Sequence, residues 1–355
     1  MRSSLPAALV WALALLVGAP AAAAPANDDQ LTPAEEVDMC LGCHGLASSE
    51  MKLATGQVMS LRVDRAALAK SSHKKLACTD CHADLKGIIG AHPKKPLPGK
   101  RDFAIAYSEA CKKCHFSNYK DTLDSVHRAR ISAGDLRGAV CSDCHGAHDV
   151  TPAAEPRAKI ALSCGKCHRP ISDVYARSVH GRSLIGGSDD VPSCTDCHRS
   201  HAIADPRAGA WRLKTPELCG NCHANEKLMK KYGLSSNVLQ TYLADFHGVT
   251  VKLSGKSESP VVALCTDCHG VHDIARVRDP ASKVIKANIL ATCAKCHPDA
   301  KGDFPSSWLS HYQPSLKKAP LVWLIRVAYL IFIPFMIGGL GLQIALHLWR
   351  ITVNR

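Results

Sequence analysis

The stretch Cys265-Thr266-Asp267-Cys268-His269-Gly270-Val271-His272-Asp273 places two thiols three positions apart, a histidine directly after the second, and another histidine three residues on. Thiols at that spacing add across the two vinyl groups of one haem, and the residue that follows sets an imidazole under the iron. The stretch has a near copy at Cys141-Ser142-Asp143-Cys144-His145-Gly146-Ala147-His148-Asp149. Widened to Cys-x-x-Cys-His, the pattern occurs nine times and consumes all 18 cysteines. Zinc chemistry does not demand histidine directly after every second cysteine. A disulfide framework would not fix the spacing or the histidine. The expected cofactor complement is therefore nine covalent c-type haems and their iron.

In chain order the thiols are Cys40 and Cys43, Cys78 and Cys81, Cys111 and Cys114, Cys141 and Cys144, Cys164 and Cys167, Cys194 and Cys197, Cys219 and Cys222, Cys265 and Cys268, and Cys293 and Cys296. The motif histidines, expected as proximal ligands, are His44, His82, His115, His145, His168, His198, His223, His269 and His297. The motifs alternate between two forms. One carries Thr-Asp or Ser-Asp between its cysteines (starting at Cys78, Cys141, Cys194 and Cys265); the other reads Cys-x-Lys/Asn-Cys (starting at Cys111, Cys164, Cys219 and Cys293). Leu41-Gly42 makes the first motif an outlier. The body reads as about four two-haem units plus one haem.

Each Thr/Ser-Asp motif is preceded by another histidine (His73, His127, His180, His247) and followed by one (His92, His148, His201, His272). Ser307 to His311 follows the ninth motif much as Ala176 to His180 follows the fifth, so His311 reads as a closing half repeat. These nine histidines match the nine motifs, leaving one of the 19, His347, unused. Every iron is thus expected to be bis-His and low-spin. His92 is the least regular, ten residues after its motif rather than three. Axial ligands approach an iron from opposite faces, and two histidines three apart cannot easily grip one haem, so His145 and His148 are expected to serve different irons, as are His198 with His201 and His269 with His272.

Residues 1–26 read as a signal peptide, with Arg2, an apolar core from Leu5 to Val17 and an Ala-rich exit. Val327 to Leu346 is a 20-residue run without charge, enough to span hydrocarbon, with Trp323, Tyr329 and Trp349 suited to the interfaces. The expected layout is a signal over 1–26, a periplasmic nonahaem domain over 27–318 and a transmembrane anchor with a short cytoplasmic tail over 319–355. That places the protein as single-pass in a bacterial inner membrane. The expected fold is mostly α and irregular, elongated and built around packed haems, with few strands and one C-terminal transmembrane helix. Net charge is +13, but nine haems bring about 18 propionates, which Lys and Arg can partner locally. A nucleic-acid partner is not expected.

The haem motifs, the copies at 141–149 and 265–273, and the Tyr175-x-x-Ser178-x-His180-Gly181 segment together resemble the multihaem cytochrome c superfamily over residues 40–311. The likeness is to cytochrome c3/c7-like and quinol-linked periplasmic members. It implies an electron carrier working between a membrane quinol-oxidising or cytochrome b subunit and periplasmic donor or acceptor proteins. The alternative is a multihaem oxidoreductase acting on nitrogen or sulfur oxyanions. Such enzymes need an open axial site or a substitute proximal ligand. With enough histidines to close every iron, a carrier with no catalytic residues is expected, possibly as a subunit of a quinol-linked complex.

Overall fold

The computed structural model describes residues 31–88, 90–92, 97–152, 155–254, 262–308 and 311–353. The segment read as a signal peptide lies outside them, as do residues 93–96 and 255–261. The chain is mostly helical, and its strands form a single antiparallel hairpin, Glu50–Lys52 with Val58–Ser60, Met51 opposite Met59.

Apart from the C-terminal helix, the helices are short and many carry a cap. Pro33–His44 starts on a reciprocal box: the Thr32 hydroxyl accepts from the Glu35 N–H (3.3 Å), while the Glu35 carboxylate accepts from the Thr32 N–H (2.8 Å). The Thr/Ser-Asp motifs are one-turn helices: Cys78–Cys81, Cys141–His145, Cys194–His198 and Cys265–His269. In each, the aspartate accepts from the backbone N–H three residues earlier: Ala77 (2.9 Å), Val140 (2.7 Å), Ser193 (2.6 Å) and Leu264 (2.8 Å). Turns this short are marginal alone, so they depend on tertiary ties.

Side chains build little core. Ten apolar residues are buried among those described, including Leu41, Met51, Leu53, Ala161, Tyr175 and Leu184, which is far too few for a chain of 355 residues to bury its surface unaided. At the C-terminal end, Pro320–Val353 is a single 34-residue helix, apolar enough to cross a membrane and with Pro334 inside it. It extends seven residues beyond the charge-free run at either end, into flanking segments that carry Arg326 and Arg350.

Candidate haem-binding sites

Every motif histidine stands opposite one of the nine other histidines, with ring centres 5.9–6.3 Å apart. The pairs are His44 with His92, His82 with His148, His115 with His73, His145 with His201, His168 with His127, His198 with His272, His223 with His180, His269 with His311 and His297 with His247. His145 and His148 join different pairs, as do His198 with His201 and His269 with His272.

The pairing follows a rule. A Thr/Ser-Asp motif takes the histidine that lies after the next such motif: His82 to His148, His145 to His201, His198 to His272. A Cys-x-Lys/Asn-Cys motif takes the histidine that lies before the preceding motif: His115 to His73, His168 to His127, His223 to His180, His297 to His247. The outlying first motif behaves as a forward-reaching one, because His44 takes His92.

His311 departs from its half-repeat reading. Instead of waiting for a following motif as His180 does, it turns back to His269. The local reason is visible in the sequence. His73, His127, His180 and His247 each sit two residues after a Ser or Asp whose side chain accepts a backbone N–H of the following turn: His73 (3.2 Å), His127 (3.3 Å), Gly181 (3.0 Å) and Gly248 (3.0 Å). Leu309 occupies the corresponding place before His311, and a leucine cannot cap.

The motifs stand in single file. The first thiols of paired motifs are close enough to share hydrogen bonds: Cys40 with Cys78, Cys111 with Cys141, Cys164 with Cys194, Cys219 with Cys265. Burial and the neighbouring Cys40 push Cys78 up to about 12. The hydrogen bond from the partner thiol raises Cys111, Cys194 and Cys219. The remaining junctions are made by Cys81 beside Cys114, Cys144 beside Cys164, Cys197 beside Cys222, and Cys268 beside Cys293 and Cys296. Glu36, Cys40 and Cys78 also come together with their ligand atoms within 4.8 Å, but both thiols belong to haem motifs.

Struts fix the register between units. The residue before three of these histidines, His73, His127 and His180, donates its N–H to a carbonyl two residues past the next unit's histidine: Ser72 to Val150 (2.7 Å), Val126 to Ile203 (2.9 Å), Val179 to Ile274 (2.8 Å). Arg101 pairs with Asp143 (2.8 Å), Arg157 with Asp196 (2.6 Å) and Arg212 with Asp267 (3.0 Å), so three arginines hold motif aspartates. These pairs were not foreseen from the sequence, although the arginines at 157 and 212 share one spacing, seven residues before a Cys-x-Lys/Asn-Cys motif. The Tyr175 hydroxyl donates to the Pro192 carbonyl (2.5 Å) and Tyr242 to that of Ala263 (2.9 Å). A side chain on Gly181 or Gly248 would collide with the Tyr175 or Tyr242 carbonyl, so the residue after these histidines must be glycine.

The turn after the motif explains His92. In the other three Thr/Ser-Asp motifs the residue after the motif histidine has positive φ: Gly146 (79°), Arg199 (63°), Gly270 (88°). That turn delivers the next histidine three residues on. Ala83 instead begins a 3-10 turn, Ala83–Leu85, and the histidine is deferred to 92.

Two imidazoles that bind one metal from opposite sides, each through a bond of about 2.0–2.1 Å, have ring centres about 6 Å apart. The nine pairs fit that demand. Burial lowers the pKa of His127, His145, His148, His198, His223, His269, His272 and His311, and holds His180 down to about 4, keeping these imidazoles in the neutral form that ligates. His44 Nδ1 lies 3.0 Å from the Leu61 carbonyl, whereas the buried His311 Nδ1 has no hydrogen-bond partner among the described residues. Aromatic rings missed at the level of sequence back three motif histidines: Tyr107 on His82, Trp211 on His198 and Phe304 on His297.

Residues 133–224 match the family model described as Cytochrome c3, which supports a multihaem cytochrome carrying c-type haem and transferring electrons. No curated protein and no solved structure matches the chain. The matched segment holds the fourth to seventh motifs, yet His168 and His198 within it pair with His127 and His272 outside. It is a window on a continuous array.

Proposed function

We propose that this protein is a membrane-anchored nonahaem c-type cytochrome that conducts electrons between a membrane quinol-oxidising or cytochrome b partner and periplasmic redox proteins. Each haem supplies a one-electron iron couple when bound. The chain's part is to attach the haems through its 18 cysteines, hold each iron between two imidazoles and keep neighbouring sites adjacent. The observation that carries the reading is the pairing of all nine motif histidines, which leaves none of them facing an open position. Closed axial positions favour a conductor over an oxyanion reductase, because substrate needs a vacant coordination site. Single-file thiols favour transport along the chain axis. Pro320–Val353 supports tethering of one end to a bilayer, and the N-terminal signal reading supports a haem domain on the periplasmic side.

Intact-mass measurement of the matured protein tests the reading, with nine haem masses above the peptide and a fully low-spin ferric spectrum expected. Eight or fewer haems in fully matured material, or a high-spin band with carbon monoxide binding to the reduced form, overturns it.

A further inference from the structure

The segment between the ninth motif and the apolar helix is tied to the residue that opens the last distal-histidine helix, Phe246–Ser254, and to the helix before it, Val238–Ala244. Trp308 Nε1 donates to Asp245 Oδ2 (3.2 Å), and Gln313 Nε2 donates to Gln240 Oε1 (3.3 Å). Helix Phe246–Ser254 therefore sits where the chain turns toward Pro320. Its outward stripe is apolar: Phe246 is 92% exposed, Val249 40% and Leu253 81%. At about 100° of turn per residue these three share one face, and His247 lies roughly 120° round from its middle. The stripe thus points away from the ring of His297, which His247 faces.

Earlier units show what normally covers this position. Val126 and Val179 precede their distal histidines as Phe246 does, and both are half-buried with their N–H groups on the next unit. After the ninth motif the chain offers Phe246 no further motif before the apolar helix begins. Leu316 (60% exposed) and Phe304 (42%) lie in the tied segment, and Lys252, Lys317 and Lys318 add cations. An apolar stripe edged by lysines and bound to the root of a spanning helix has the chemistry of an interfacial helix, whose lysine stems reach the headgroups.

We propose that the outer face of helix 246–254 lies in the headgroup region of the bilayer, a second membrane contact beside the spanning helix. This rests on reading Pro320–Val353 as the anchor. The two contacts fix the tilt of the haem domain and turn the end bearing the His247–His297 pair to the membrane.

The test places a photocrosslinking amino acid at Leu253, at Phe335 inside the apolar helix or at Leu136, an exposed residue remote from that end in sequence. The full-length holoprotein is reconstituted in nanodiscs of phosphatidylethanolamine and phosphatidylglycerol, and lipid adducts are read by mass. Lipid adducts at positions 335 and 253, with none at 136, are expected. Adducts at 335 without any at 253 overturn the second contact while leaving the anchor standing. Absence of lipid at 335 overturns the anchor reading and this proposal with it.

Discussion

The five histidine pairs that reach forward along the chain and the four that reach back differ in geometry as well as in direction. In the forward pairs the two rings are near parallel, at 16° for His44–His92, 18° for His82–His148, 27° for His145–His201, 26° for His198–His272 and 20° for His269–His311. In the backward pairs they are tilted, at 44° for His73–His115, 39° for His127–His168, 54° for His180–His223 and 55° for His247–His297. The distal histidines differ in their seats. Those of the backward pairs come two residues after a capping Ser or Asp, three of them near the start of a helix and His73 in a turn. Those of the forward pairs sit in loops or turns, four of them two residues after a positive-φ residue (Gly90, Gly146, Arg199 and Gly270). Two local peptide geometries thus impose two ring angles. From the second motif on, the two classes alternate along the file.

The largest break comes from deleting one ligand of each class. Replacing His148 with Ala should leave the haem count intact and open the site of His82, a whole unit upstream. Replacing His127 with Ala should instead open the site of His168, downstream. Carbon monoxide binding with assignment of the altered iron checks both; if H148A alters the site of its own motif histidine, His145, the forward rule is wrong.

A sharper view comes from electron paramagnetic resonance of the oxidised protein. The angle between axial imidazole planes sets how unequal the iron d-orbitals are. Two low-spin populations in a ratio of five to four are expected, the smaller at larger maximal g. One homogeneous signal would show that the bound haems erase the difference in ring angle.

A smaller effect should follow from loosening a strut between units. Arg101 grips Asp143 through two bonds of 2.8 and 3.0 Å, with both side chains roughly one-third exposed or less. Arg101→Gln should cost about 1 kcal/mol after solvent screening, read as a fall in the thermal midpoint with an unchanged haem count. No shift in the midpoint would mean that the haems alone hold the units in register.

The smallest change concerns Arg199, the one non-glycine residue with positive φ among those described, at φ 63° and ψ 174°. This region is nearly glycine-only and costs of order 1–3 kcal/mol. Arg199→Gly should raise stability by about 1 kcal/mol and leave the His145–His201 pair in place; a loss of stability would show that the arginine side chain repays its backbone.

What was legible in the sequence follows from how far each instruction reaches. Cysteine spacing and the adjacent histidine act within five residues, so all nine candidate attachment motifs could be read directly. Nine further histidines could be counted, and the argument that His145 and His148 serve different irons needed only their spacing. Their partners could not be read, because His82 and His148 are joined by a register that Ser72–Val150 and similar struts set across units. The first motif looked irregular by the residues between its cysteines and proved regular in its direction of reach. His311 carried a resemblance to His180 in its approach, yet lacked the cap that defines that class.

The opposite reach of the two classes also gives assembly a timetable. Under the proposed export, N-terminus first, His115, His168, His223 and His297 would each emerge after their partners have already crossed. His82, His145 and His198 must wait for the following unit, and His269 for the segment that leads into the apolar helix. Until that last stretch is across, the most recently delivered forward site would lack its second imidazole, so completion of the proposed array would be coupled to arrival of the segment that precedes the apolar helix.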